Sequence, residues 1–175
     1  VTRSIANANC QTYLFAKDSD ALAINYPNAI TRYGDSVYLL VTGLSNIIRY
    51  PLADPTAPEI FAGHDRFQNK NGTNGLPGRP KDLVMNRNKS KIFYTENNQV
   101  KYITTANRSI HNLVGNTIDN YQHNDDKAWG GSAGRFSDAL SLALTPDETK
   151  LYVVDRNNNR IRQVNIHDKT VSYFV

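Results

Sequence analysis

Lys150-Leu151-Tyr152-Val153-Val154-Asp155, then Arg156-Asn157-Asn158-Asn159, then Arg160-Ile161-Arg162-Gln163-Val164 is the stretch that decides how this chain folds. An apolar, β-rich run ends in an acid, an Asn-rich segment reverses the chain, and a second run alternates apolar with basic residues. The same plan occurs upstream as Lys91-Ile92-Phe93-Tyr94-Thr95-Glu96, Asn97-Asn98 and Gln99-Val100-Lys101-Tyr102-Ile103. A repeated hairpin predicts a repeat architecture. Scaffolds of that kind carry their activity in loops.

Working outward, three units align, at residues 27–63, 80–115 and 137–175. Each holds four short β-rich runs separated by turn residues, such as Asn86-Arg87-Asn88-Lys89 and Thr145-Pro146-Asp147-Glu148 between the first two runs. Runs such as Leu140 to Leu144 and Leu151 to Val154 are almost continuously apolar, as strands buried on both faces are. The pattern predicts an all-β chain of four-stranded β-propeller blades, read as a single region over 1–175. Gln11 to Ala16 reads as a further strand belonging to an adjacent blade.

Gly134-Arg135-Phe136-Ser137-Asp138-Ala139-Leu140, Pro146-Asp147, Leu151 to Asp155 and Asn158-Asn159-Arg160-Ile161-Arg162 together resemble an NHL repeat. The third unit carries the resemblance over about 40 residues. The second departs from it with Glu96 in place of the aspartate and a shortened turn, and the first with Thr42 where the acid is expected. The resemblance implies a propeller, most often of six blades. Three blades do not close a ring, so they form part of a larger propeller or of a ring built from several chains. Within each hairpin a structural role is expected for the acid: Asp155 accepts turn N–H bonds and pairs with Arg160, and Glu96 pairs with Lys101.

Composition bounds the rest. At 175 residues with 39% hydrophobic content, ten Tyr and six Phe, the chain suffices for one strand-rich domain. The formal charge is +4, with both signs well mixed, which reads as a solvated surface rather than a nucleic-acid footprint. The single cysteine, Cys10, excludes an internal disulfide framework and a multi-cysteine zinc site. No apolar run approaches the length of a membrane span, and Val1 opens no signal peptide. Three sequons begin at Asn71, Asn88 and Asn107. With 21 Asn and 23 Ser plus Thr, chance alone supplies about three. Their placement in predicted turns makes them glycosylation candidates and favours an extracellular or cell-surface setting.

In a four-stranded blade the turn between strands two and three and the link to the next blade share one end. The two links are long, about twenty residues each, which marks them as functional. Binding candidates on that end are His64, Arg66, Lys70 and Arg79 on the first link, Tyr121, His123 and Trp129 on the second, and Arg156 in the third hairpin. No metal or cofactor is expected, because His64-Asp65 and His123-Asn124-Asp125-Asp126 lack the spacing of a zinc or calcium site. No nucleophile elbow, phosphate loop or dinucleotide fingerprint occurs. Some NHL relatives are zinc-dependent lyases, but no histidine here matches their metal ligands. The expectation is a non-catalytic module, an interaction or assembly device that binds a protein partner or self-assembles through its inter-blade loops. The alternative is an RNA-binding propeller using Arg66, Lys70 and Arg79.

Overall fold

The computed structural model describes residues 27–33, 36–41, 46–51, 53–54, 57–63, 71–72, 75, 77–116 and 134–175. These form three four-stranded antiparallel sheets, each built from strands consecutive in sequence. Blade one contains β1 (Pro27–Tyr33), β2 (Ser36–Val41), β3 (Asn46–Pro51) and β4 (Glu59–Ala62). Blade two contains β5 (Pro80–Met85), β6 (Lys91–Glu96), β7 (Gln99–Thr104) and β8 (Ser109–Gly115). Blade three contains β9 (Ala139–Leu144), β10 (Lys150–Asp155), β11 (Arg160–Asn165) and β12 (Val171–Tyr173). The first strand of blade two packs against the first strands of both neighbours. The chain therefore folds as consecutive blades of a β-propeller, with strand one of each blade innermost. The strand expected at 11–16 and the turn at 43–45 lie outside the described residues.

Two apolar layers hold the blades together. Between blades one and two, Ile47, Phe61 and Ala62 meet Leu83, Ile92, Tyr94, Ile103 and Ile110. Between blades two and three, Phe93, Val100, Leu113 and Val114 meet Ala139, Leu142, Leu151, Val153, Val164 and Val171. Successive residues of β6 thus point into opposite layers, which is why that strand reads as continuously apolar. Each fully buried Val, Leu, Ile or Phe side chain among them contributes about 1.5–3 kcal/mol on burial. Blade three exposes its other face: Tyr152 is half-buried and Val154 exposed.

Register fixes which turns share an end. Pro80 pairs with Glu96 and Gln99 with Gly115, so strand-one starts, the strand two–three turns and the links lie together; this is the link end. The opposite, turn end carries the strand one–two and three–four reversals. Gly115 closes β8 at φ +93°, and a Cβ there would lie 2.3 Å from the Asn98 carbonyl oxygen. Only glycine lets β8 pass so close to the two–three turn. On the outer rim, Gly72 of the first link exchanges two backbone hydrogen bonds with Ile110, which covers part of the β8 edge.

Candidate functional site

The described part of the link end is organised by two buried carboxylates of blade three. Asp155, at the end of β10, accepts hydrogen bonds from the Ser137 N–H (2.7 Å), Asn158 Nδ2 (2.8 Å) and Arg162 Nη1 (3.3 Å). One carboxylate so ties together the incoming link, the turn and the returning strand. Arg162 also donates to the Arg135 carbonyl (3.3 Å), and its guanidinium lies over the rings of Phe136 and Tyr173. The ion-pair partner of Asp155 is therefore Arg162, not the expected Arg160. Arg160 stands opposite Asp155 in the ladder, but it donates to the Tyr173 hydroxyl (2.8 Å) and stacks on that ring.

In blade two Lys101 Nζ lies 3.4 Å from Glu96 Oε1, with both side chains fully buried. Register makes Lys101 and Arg162 equivalent: each is the third residue of its third strand, opposite Tyr94 and Val153 respectively. Reading the partner at five residues past the acid succeeds for Glu96 and fails for Asp155, because the third blade's turn is two residues longer. In blade one the equivalent positions are Val41, opposite Asn46, and Ile48, opposite Leu39. The acid position belongs to Val41 rather than Thr42, so both members of the pair are replaced by apolar residues together.

Asp138 is the second organising carboxylate. It sits at φ +79° immediately before β9, which delays that strand to Ala139. Its N–H donates to Asn98 Oδ1 (2.9 Å), and the Ala139 N–H donates to the Asn97 carbonyl (2.8 Å). The turn of blade two thus cradles the strand-one start of blade three. Lys81 and Arg156 both form ion pairs with Asp138. Burial lowers the Lys81 pKa below the usual ammonium range, and repulsion from Arg156 lowers it further. One residue inward, Asp82 Oδ2 accepts from Ser141 Oγ (2.5 Å) and the Leu142 N–H (3.0 Å), a second stitch across the same joint.

Of the sequence-derived binding candidates, Arg79 and Arg156 are exposed on the link end. His64, Arg66, Lys70, Tyr121, His123 and Trp129 lie outside the described residues. Lys81, Arg135, Asp138 and Arg162 join the site, and sequence reasoning missed them as functional residues. Only Arg162 had a usable signal, its shared place with Lys101 in the repeat. No group of three or more His, Cys, Asp or Glu side chains fit to hold a metal occurs among the described residues.

The sequon residues Asn71, Asn88 and Asn107 are all exposed. Asn88 Oδ1 accepts from the Ser90 N–H (3.1 Å) and Ser90 Oγ (2.7 Å). Asn107 Oδ1 accepts from the Ser109 N–H (3.2 Å). In blade three Asp147 does the same for Thr149 and Asp168 for Thr170. All four reversals lie on the turn end, and the residue after each Asn or Asp (Lys89, Arg108, Glu148, Lys169) has positive φ. Asn-x-Ser here is one spelling of an Asx turn that also accepts Asp-x-Thr.

The sequence matches no protein-family model and no curated protein. Solved structures of β-propeller proteins do match its fold. Virginiamycin B lyase from Staphylococcus aureus is 15% identical, with a TM-score of 0.56 over 87% of this chain and 42% of its own. A chain of a nidogen/laminin complex is 13% identical, with a TM-score of 0.59 over 86% of this chain and 48% of its own. An auxiliary nutrient-binding protein from Bacteroides thetaiotaomicron is 17% identical, with a TM-score of 0.59 over 82% of this chain and 36% of its own. The present chain spans less than half the length of each. At such identities the likeness speaks for the fold alone.

Proposed function

We propose that this arc is an NHL-type, non-catalytic interaction module whose link end receives a protein partner. The observation that carries the reading is the joint between blades two and three. Asn97, Asn98, Asp138 and Asp155 knit two turns and a link into one hydrogen-bonded platform. Side chains held by such a platform keep one geometry, the condition for specific docking at low entropic cost. The NHL assignment is supported by the repeated acid–base pair at Glu96–Lys101 and Asp155–Arg162. A match to one chain of a nidogen/laminin complex fits a protein-binding role.

The test is site-directed photo-crosslinking in an extract of the native source. A benzoylphenylalanine at Asn157, on the link end, is expected to form an adduct with one defined protein; the same group at Ala106, on the turn end, is not. Adducts only from Ala106, or from neither position, would defeat the reading. An extracellular setting is part of the proposal and rests on the exposed sequons. Its check is the intact mass of the native protein before and after glycosidase treatment, and an unmodified mass removes it.

A further inference from the structure

We propose that Asn88 and Asn107 are acceptors for N-linked glycans that cover the turn end of blade two; this rests on the extracellular setting. At these two reversals the fold asks for an oxygen alone. Asn88 Oδ1 accepts from the Ser90 N–H (3.1 Å), Ser90 Oγ (2.7 Å) and Asn86 Nδ2 (2.7 Å). Asn107 Oδ1 accepts from the Ser109 N–H (3.2 Å) and lies against the Thr104 hydroxyl. A backbone N–H on one side fixes which end of each planar amide is the oxygen, so the nitrogen points away from it. Both residues are exposed, and neither Nδ2 donates to a described residue. Other asparagines of the same blade commit that nitrogen. Asn86 Nδ2 serves Asn88 and Ser90, and Asn112 Nδ2 donates to the Gly115 carbonyl (3.0 Å).

Blade three shows that the nitrogen is dispensable for folding, because Asp147 and Asp168 fill the equivalent places. Blade two has Asn at both, each with Ser two residues on. The residue between, Lys89 or Arg108, is not proline and sits at φ +69° or +54°. This is the acceptor pattern for asparagine-linked glycosylation. The transfer takes a glycosyl donor of the lipid-linked diphosphate class. The bond from Nδ2 to the sugar C1 forms, the C1–oxygen bond to the diphosphate breaks, and Nδ2 gives up one proton. Oδ1 is untouched, so a glycosylated side chain keeps its bond to the N–H two residues on. The two reversals are also tied to each other. The Thr105 N–H donates to the Ser90 carbonyl (3.0 Å), and Thr105 Oγ1 to the Lys89 carbonyl (2.6 Å). Both glycans therefore share one corner. The third sequon lies beside it, since Gly72, next to Asn71, bridges to Ile110. Glycans at this corner bar protein contact with the turn end of blade two and leave the described link end open.

The experiment secretes the full chain from a mammalian cell line behind a cleavable leader, with Asn71→Gln throughout so that two sequons remain. Intact mass before and after peptide-N-glycosidase treatment is expected to show two glycans. Peptide mapping should place them at Asn88 and Asn107, each converted to Asp on release. Asn88→Asp and Asn107→Asp are each expected to lose one glycan, and the double variant both. That double variant has the covalent structure of the enzymatically deglycosylated parent, so a matching unfolding temperature establishes that it folds. Should either variant fail to fold, Ser90→Ala or Ser109→Ala removes the acceptor pattern and keeps the N–H bond to Oδ1, with the same loss expected. A folded, secreted chain with either site bare overturns the proposal, as does a glycan mass that these substitutions leave in place. The extracellular setting is read separately, from the native protein. An unmodified native mass beside two occupied sites in the secreted chain removes the setting alone. Bare sites beside a native glycan elsewhere remove the proposal alone.

Discussion

Asn88 and Asp147 occupy equivalent reversals in different blades and use the same oxygen for the same purpose, accepting the N–H of the residue two positions on. Such a bond contributes about 0.5–1.5 kcal/mol. Asn88→Asp is therefore expected to leave the unfolding temperature nearly unchanged near neutral pH, whereas Asn88→Ala lowers stability by about 0.5–2 kcal/mol, the cost of losing a comparable cap. Thermal unfolding of the two variants checks this, and an equal loss for both would refute the Asx reading. The Asp version brings a pH dependence. Hydrogen bonds from the hydroxyl of Thr145 and from Thr149 hold the Asp147 carboxyl below its usual range. A carboxylate with a lowered native pKa adds stability that is full above its unfolded pKa and is lost as pH falls through the native one. Asn88→Asp should acquire that acid sensitivity, visible as a steeper fall of unfolding temperature below pH 4.

The two–three hairpin is stabilised as a unit, and its acid–base pair is either complete or absent. Burial pushes the Lys101 ammonium below its usual pKa, and Glu96 offsets part of that shift. Glu96→Val on its own leaves a desolvated ammonium without a counter-charge and is expected to cost about 3–5 kcal/mol. Adding Lys101→Ile reproduces the Val41–Ile48 combination of blade one and should restore most of the loss. Denaturant midpoints of the single and double variants decide the matter; equal losses would mean that packing, not charge, dominates there. The hairpins, their turns and the acid positions of blades two and three were legible in sequence because each is set within a few residues by alternation and turn chemistry. The Asp155 partner was misread because a fixed spacing ignores turn length. Lys81 and Asp138 were not legible at all. Their contact joins strand-one starts of different blades, and nothing local in Pro80-Lys81-Asp82 or Phe136-Ser137-Asp138 records which carboxylate faces which cation.

At the scale of the whole arc, the blades are equivalent in register but not in surroundings. Phe93 and Tyr152 occupy the same place on their second strands, opposite Tyr102 and Gln163, as do Thr95 and Val154. In blade two these positions are sealed by blade three: Phe93 is 2% exposed, and Thr95 Oγ1 donates to the Leu140 carbonyl at 3.1 Å. In blade three Val154 is 36% exposed, and Tyr152 is covered on one side by Phe174, with ring centroids 4.5 Å apart. The same mutation should therefore have different consequences at the two places. Phe93→Ala opens a cavity in the joint and is expected to cost about 3–5 kcal/mol. Tyr152→Ala loses mainly an exposed aromatic pair, about 0.5–1.5 kcal/mol. Denaturant unfolding at several protein concentrations measures both. A Tyr152→Ala loss as large as that of Phe93→Ala, growing with concentration, would mean that in solution this face of blade three is buried against another copy, and the arc would have to be treated as one part of an assembled ring.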